Sequence, residues 1–270
     1  MGITRARHTL AGSETRYWTW GATSRSDAPC VFLFHGITSS HEFWVPMACE
    51  LAVRGLKVIA WDMPFHGESR SSGSFSLAEA GDKAAAILAQ EDVSSCLAVG
   101  HSYGCYVVQA LAARHPGCVG AAVMFDGMPL GYPLKPLEAW SVRHYAAIAA
   151  LWPYESYVHK GSEAASTTEK GRQEFARELT DLGRAGMLAA TRACYPAVLD
   201  APATPLPAGL PVTLAVGEKD GVGLVAPAMR VWAEELGVSL EVIAGAGHCS
   251  PWDRPERCLD LVLAAAETLS

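Results

Sequence analysis

The pentapeptide Gly100-His101-Ser102-Tyr103-Gly104 follows the apolar run Cys96-Leu97-Ala98-Val99 and leads into a helical stretch ending near Arg114. A serine hydroxyl attacks well only if a base removes its proton in the same step. A G-x-S-x-G at a strand-to-helix turn also lifts the hydroxyl clear of the sheet, because the glycines permit the tight backbone such a turn needs. Ser102 is therefore the candidate nucleophile. Five residues are too short a pattern to carry a function alone, so the rest of the chain must supply a base, an acid and the elements that bring them together.

The elements follow from hydrophobic patterning. Two short runs ending at Leu10 and Trp20 flank Ala11-Gly12-Ser13-Glu14 and predict an antiparallel edge hairpin. Continuous apolar runs over 30–34, 56–61, 96–99, 119–125, 212–216 and 240–243 predict strands buried on both faces. Helical spacing covers 42–54, 76–90, 103–114, 225–236 and 255–269, with Ser76 and Glu79 at capping-box spacing. Strands alternating with helices predict a mostly parallel central sheet flanked by helices, an α/β fold with right-handed crossovers. The alternation breaks after Asp126. Helical patches over 137–151 and 167–193 and a proline-rich return from Pro196 to Pro211 predict an inserted helical lobe over 127–210. Residues 1–126 and 211–270 then form the core domain.

Reacting groups in open α/β sheets gather at the carboxyl ends of the strands. The residues just past the predicted strands are His35-Gly36-Ile37, Asp62, Ser102, Asp126, Asp220 and His248. Nucleophile, acid and histidine thus run in the order Ser, Asp, His, one of the chain orders in which the catalytic triad occurs. His248 is the candidate base, an imidazole being suited to taking and returning a proton near neutral pH. Two acids compete: Asp220 follows one strand and a glycine, and Asp126 ends another strand.

Phe34-His35-Gly36, the segment Asp62-Met63-Pro64-Phe65-His66-Gly67-Glu68-Ser69, the turn around Ser102, Gly217-Glu218-Lys219-Asp220 and Gly245-Ala246-Gly247-His248 together resemble the α/β-hydrolase fold superfamily, over nearly the whole chain. The resemblance implies a triad of Ser102, His248 and Asp220, with Asp126 as the alternative acid, an arrangement similar to that of some lactone-cleaving members. It further implies an oxyanion hole built from the backbone N–H groups of Tyr103 and Ile37, with His35 fixing the loop that carries Ile37. Asp62 and His66 are expected to organise their own loop, and His101 to pack against the sheet. The chain departs from the common pattern twice. Phe65 stands where D-x-P-G-H-G has glycine, and Cys105 stands where a second glycine often lets the elbow helix approach the sheet.

Composition narrows the partners. The chain has 270 residues, half of them apolar, and a formal charge of -7 with no block of like charge, so it carries no basic footprint for nucleic acid or anionic membrane. A small-molecule substrate is expected, with no nucleic-acid or membrane partner. Arg5 and Arg7 are followed by polar residues rather than an apolar stretch, which predicts a cytoplasmic protein. Eight scattered cysteines lack CxxC spacing, and Cys105 and Cys249 read as packing residues. No metal spacing or G-x-G-x-x-G is present, so no metal, nucleotide or other cofactor is expected. The lobe residues Trp140, His144, Tyr145, Trp152, Tyr154 and Tyr157 are expected to roof an apolar pocket or to form the lobe's own core. Together these readings predict a serine hydrolase of the carboxylesterase or lactonase type, working on a small, fairly apolar substrate through an acyl-enzyme. Hydrolysis of a C–C bond in a diketone-like substrate uses the same three residues, and a small-molecule receptor retaining the triad is the reading of a different class. A serine at the elbow argues against haloalkane dehalogenase and epoxide hydrolase chemistry, which need a carboxylate there.

Overall fold

The computed structural model describes residues 4–21, 29–69 and 73–269. Eight strands form one sheet: β1 (Arg5–Thr9), β2 (Arg16–Trp20), β3 (Cys30–Phe34), β4 (Lys57–Trp61), β5 (Cys96–His101), β6 (Val119–Phe125), β7 (Val212–Gly217) and β8 (Leu240–Ile243). Their spatial order is β1-β2-β4-β3-β5-β6-β7-β8. Only the β1–β2 and β2–β4 pairings are antiparallel, so the hairpin extends a parallel sheet at one edge.

The central strands are apolar throughout because both faces of the sheet are covered. In β3 the alternation is clear: Phe32 and Phe34 join one buried cluster, and Val31 and Leu33 join the other. The first cluster is closed by α2 (Leu77–Gln90), α3 (Gly104–Arg114) and α8 (Val225–Leu236), the second by α1 (Val45–Val53) and α10 (Pro255–Glu267). Ser76 caps α2 by accepting from the Glu79 N–H, as its spacing predicts. A 3₁₀ turn, His41–Trp44, leads into α1, where the sequence suggested a single helix.

Between β6 and β7 the chain forms only helices: α4 (Pro136–Arg143), α5 (Tyr145–Ala149), α6 (Tyr154–Ala165) and α7 (Glu169–Asp200). Two expectations need correction here. The sequence reading had no helix over α6, although Tyr154, Tyr157 and Val158 share one face and pack on the lobe's own cluster, with Ser162 and Ala165 buried further along. The return from the lobe is also not extended from Pro196 onward, because α7 continues through that proline to Asp200. A proline inside a helix loses one backbone hydrogen bond, and packing of Cys194, Ala197 and Val198 against the main core offsets the loss. Within α7, Gly183 is non-helical at φ 72°, so the helix is two segments meeting at a bend. The short α9 (Ser250–Asp253) follows the loop that carries His248. No described helix is long and apolar enough to cross a membrane.

Candidate active site

β5 ends at His101, and Ser102 takes φ 51° before α3 begins. The left-handed region is unfavourable for a residue with a Cβ by roughly 1–2 kcal/mol. It is held here by bonds on both sides of the turn: Ser102 N–H donates to the Phe125 carbonyl at 2.9 Å, and the Cys105 N–H donates to the Ser102 carbonyl at 3.0 Å. Cys105 fits beneath the elbow because it faces Gly127. A Cβ at residue 127 would stand 2.4 Å from the Cys105 Sγ, so the missing glycine of the elbow helix is matched by a glycine after β6. Burial pushes the Cys105 and Cys249 thiols well up, which makes both inert packing residues at neutral pH.

Three side chains from three strand ends meet in one line. The Ser102 Oγ lies 2.9 Å from His248 Nε2, and His248 Nδ1 lies 2.9 Å from Asp220 Oδ2. The other Asp220 oxygen accepts the Val222 N–H at 2.9 Å, which fixes the carboxylate in its turn. Burial pulls the His248 imidazole down, but the Asp220 carboxylate, with a smaller contribution from Asp126, more than offsets this and leaves it above the ordinary histidine value. Asp126, the alternative acid, does not meet the imidazole. Its Oδ1 accepts the Gly217 N–H at 2.7 Å, and its Oδ2 accepts the Ser250 N–H at 3.2 Å and the Ser250 hydroxyl. Burial pushes Asp126 up to about 7, with His248 opposing.

The loop after β3 lies against Ser102. A Cβ on Gly36 would stand 3.1 Å from His101 Nδ1 and 3.3 Å from Ser102 Cβ, so a side chain there would press on both residues. Among the described residues, neither the Ile37 nor the Tyr103 N–H donates to a protein acceptor, and Ile37 lines the cavity above Ser102. His35 fixes this loop from below: its Nδ1 bonds the Gly36 carbonyl at 2.8 Å, and its Nε2 accepts the Met63 N–H at 3.0 Å. Those bonds require the neutral ring, and burial pushes its pKa down to about 3. His101 is likewise neutral, its pKa pushed down to about 3 by burial, and it donates from Nε2 to the His248 carbonyl at 2.8 Å. It holds the loop that carries His248.

The segment after β4 organises itself as expected. Asp62 Oδ1 accepts from both the backbone N–H and the Nδ1 of His41, at 2.7 and 2.8 Å, and Oδ2 accepts the Glu68 N–H at 2.7 Å. His66 Nδ1 bonds the Pro64 carbonyl at 3.0 Å. Phe65, in the glycine's place, adopts φ 74°, the backbone that glycine would take without strain. Packing of Phe65 against the core, edge-on to Phe75, compensates.

Above Ser102 lies a cavity of about 410 Å³. Of the lobe aromatics singled out in the sequence, Tyr145, Trp152 and Tyr157 line it, and the Tyr145 and Tyr157 hydroxyls bond each other at 2.9 Å. Trp140 and His144 instead stack on one another away from the cavity, and Tyr154 donates to the Leu179 carbonyl inside the lobe's own cluster. Sequence reasoning missed Phe43, Phe175, Tyr195 and Trp252, which complete the aromatic wall, and Lys160 among the lining residues. No periodicity marks them, since they come from four separate segments. Among the described residues no cluster of His, Cys, Asp and Glu could hold a metal ion.

Comparison with known proteins agrees with this architecture. Residues 31–261 match the sequence model of the alpha/beta hydrolase family, and the chain belongs to that family. A non-heme haloperoxidase of Rhodococcus erythropolis is 34% identical over 120 residues, 44% of this chain and 42% of its own length. The chain spans less than half the length of the first curated relatives it matches. A thermophilic esterase from Thermogutta terrifontis is similar in structure with a TM-score of 0.78 at 18% identity, over 98% of this chain and 99% of that one. The enol-lactonase from Burkholderia xenovorans LB400 gives a TM-score of 0.77 at 17% identity, over 97% and 100%. At these identities the structural likeness shows the fold alone.

Proposed function

We propose that the protein is a serine hydrolase that cleaves a carboxylic ester or lactone of a small, fairly apolar substrate through an acyl-enzyme. The observation that carries this reading is the unbroken line from Ser102 Oγ through His248 to Asp220, with 2.9 Å at each contact. His248 takes the Ser102 proton as the hydroxyl oxygen attacks the carbonyl carbon, and passes it to the leaving alkoxide as the C–O bond breaks. Water then repeats the sequence on the acyl-enzyme, releasing the acid and restoring Ser102. Asp220 keeps the proton on His248 Nδ1 in the resting state and stabilises the imidazolium formed in each half-reaction.

The negative charge on the carbonyl oxygen falls to the Ile37 and Tyr103 N–H groups, whose lack of a protein acceptor leaves them available. One such donor supplies roughly 3–4 kcal/mol of transition-state stabilisation. The lobe over 127–210 acts as the lid that sets the pocket, its aromatic walls accepting an apolar or aromatic acyl or alkyl group. The test is turnover of p-nitrophenyl acetate and butyrate with their lactone counterparts. Ser102→Ala should lower kcat by about 10⁶, and unchanged hydrolysis by that variant would remove Ser102 from the mechanism. Ligand-induced thermal stabilisation without turnover by the wild type would favour a receptor instead.

A further inference from the structure

The loop over 35–41 is fixed at its ends by the core. His35 and Asp62 hold those ends, as described above, but the stretch between them is strained. Thr38 takes φ 61°, left-handed backbone for a β-branched residue, an arrangement that persists only where its surroundings enforce it. Within the loop the Ser39 N–H closes on the Gly36 carbonyl at 3.4 Å and the Thr38 hydroxyl on the Ile37 carbonyl at 2.7 Å, and the helical insertion adds bonds to the two residues that follow Thr38. Glu178, on the first segment of α7, is only 7% exposed. Its Oε2 accepts from the Ser39 hydroxyl and, at 3.1 Å, from the Ser40 N–H, while its Oε1 accepts from the Ser40 hydroxyl at 3.1 Å.

That same part of the insertion is bolted to the loop of the base. Asp253 accepts from the Gly247 N–H at 2.8 Å and from the Thr167 and Thr168 N–H groups at 3.0 and 3.1 Å, and the Cys249 N–H donates to the Ala165 carbonyl at 2.7 Å. The start of α7 therefore spans the two loops that flank Ser102. A carboxyl buried this deeply with no cation within ion-pair distance among the described residues is expensive as packing alone, and the neighbouring Arg177 pairs with Glu174 instead.

We propose that Glu178 is a positioning residue which, through Ser39 and Ser40, holds the Ile37–Ser40 loop in the strained form that aims the Ile37 N–H at the substrate oxygen. This rests on the reading of Ile37 as an oxyanion donor. Glu178 acts through the loop and touches no reacting atom, so its removal lowers the rate of the chemical step and leaves substrate binding nearly unchanged. Burial raises the carboxyl to about 8, against the Ser39 and Ser40 bonds. In either charge state Oε2 accepts the Ser39 hydroxyl and the Ser40 N–H. A glutamine reproduces that pattern.

The experiment compares Glu178→Ala and Glu178→Gln for kcat and KM on p-nitrophenyl butyrate and for amide hydrogen exchange at residues 37–40. Displacing a catalytic group by about 1 Å typically costs on the order of 100-fold. The alanine variant should lose about 10- to 100-fold in kcat with KM within about threefold, and its loop amides should exchange at least about tenfold faster. The glutamine variant should stay within about threefold of wild type in both. An alanine variant with wild-type kcat, a loss confined to KM, or unchanged exchange would each overturn the proposal. If the alanine variant does not fold, Ser39→Ala removes one of the bonds alone; it should still speed exchange at the loop, and no change there overturns the proposal equally. Absence of ester turnover by the wild type would count against the hydrolase reading, while the exchange measurement would still decide the role of Glu178.

Discussion

The turns after β6 and β7 each present an aspartate toward the loop of His248, yet the two carboxylates do different work. Asp220 gives one oxygen to the imidazole and the other to its own turn. Asp126 spends both oxygens on Gly217 and Ser250 and ties β6 to β7 and to α9. Both sit at strand ends, so residue type and position along the sheet do not separate them. What separates them is whether a carboxylate faces an ionisable ring or the hydrogen-bond donors of neighbouring turns. The first arrangement bonds the His248 ring directly, and the second holds turns together while acting on the same ring only through its charge.

Replacing each aspartate by asparagine breaks this comparison most sharply. Asp220→Asn offers an amide N–H to His248 Nδ1 and favours the wrong tautomer, so kcat should fall by about 10⁴ with little change in Tm. Steady-state kinetics and a thermal melt check both halves. If Asp126→Asn produced the same fall and Asp220→Asn did not, Asp126 would be the acid despite its bonding.

The next largest effect belongs to Asp126 and to stability. Three donors converge on its two oxygens, so an asparagine must turn its NH₂ toward at least one N–H or O–H and leave a buried pair mismatched. The expected loss is about 1–3 kcal/mol of stability, read as a lower midpoint in urea unfolding, while kcat stays within about tenfold. A stable variant with crippled kcat would reverse the assignment.

These two carboxylates also mark where sequence reasoning reaches its end. Strands β3, β4 and β6 were legible because a sheet covered on both faces demands uninterrupted apolar runs, and the strand-end rule then named Ser102, His248 and both aspartates. Choosing between the aspartates needs angles and loop paths that no spacing encodes. The lobe was less legible for a different reason. Its helix α6 starts right after Pro153 with a short stripe of Tyr154, Tyr157 and Val158 that the reading passed over, and α7 runs on through Pro196, where proline punctuation argues for a stop. Tyr195, Phe175 and Trp252 enter the pocket wall only once the lobe has folded over the sheet. Glu178 is one glutamate among many in a polar helix until its contact with Ser39 and Ser40 is seen.

The smallest expected effect is a pH dependence that sharpens the same contrast. Burial raises Asp126 to about 7, whereas an unfolded carboxyl titrates near ~4. A group whose pKa is raised by folding binds more protons in the native state, so it stabilises fully at low pH and that contribution fades as pH rises to about 7. Above that value both states are ionised and the contribution is constant. Asparagine has no proton to lose; Asp126 also raises His248, and a stabilisation carried by a raised histidine fades with rising pH in the same sense, so the coupled pair declines together. The stability of the wild type minus that of Asp126→Asn should therefore decline between about pH 5 and 7, at no more than ~1.4 kcal/mol per pH unit, and level off above 7. Urea midpoints at unit intervals from pH 5 to 9 measure it. A difference that stayed flat across the range would mean that the Gly217 and Ser250 donors keep Asp126 ionised throughout, and the two strand-end carboxylates would then differ in what they face but not in charge.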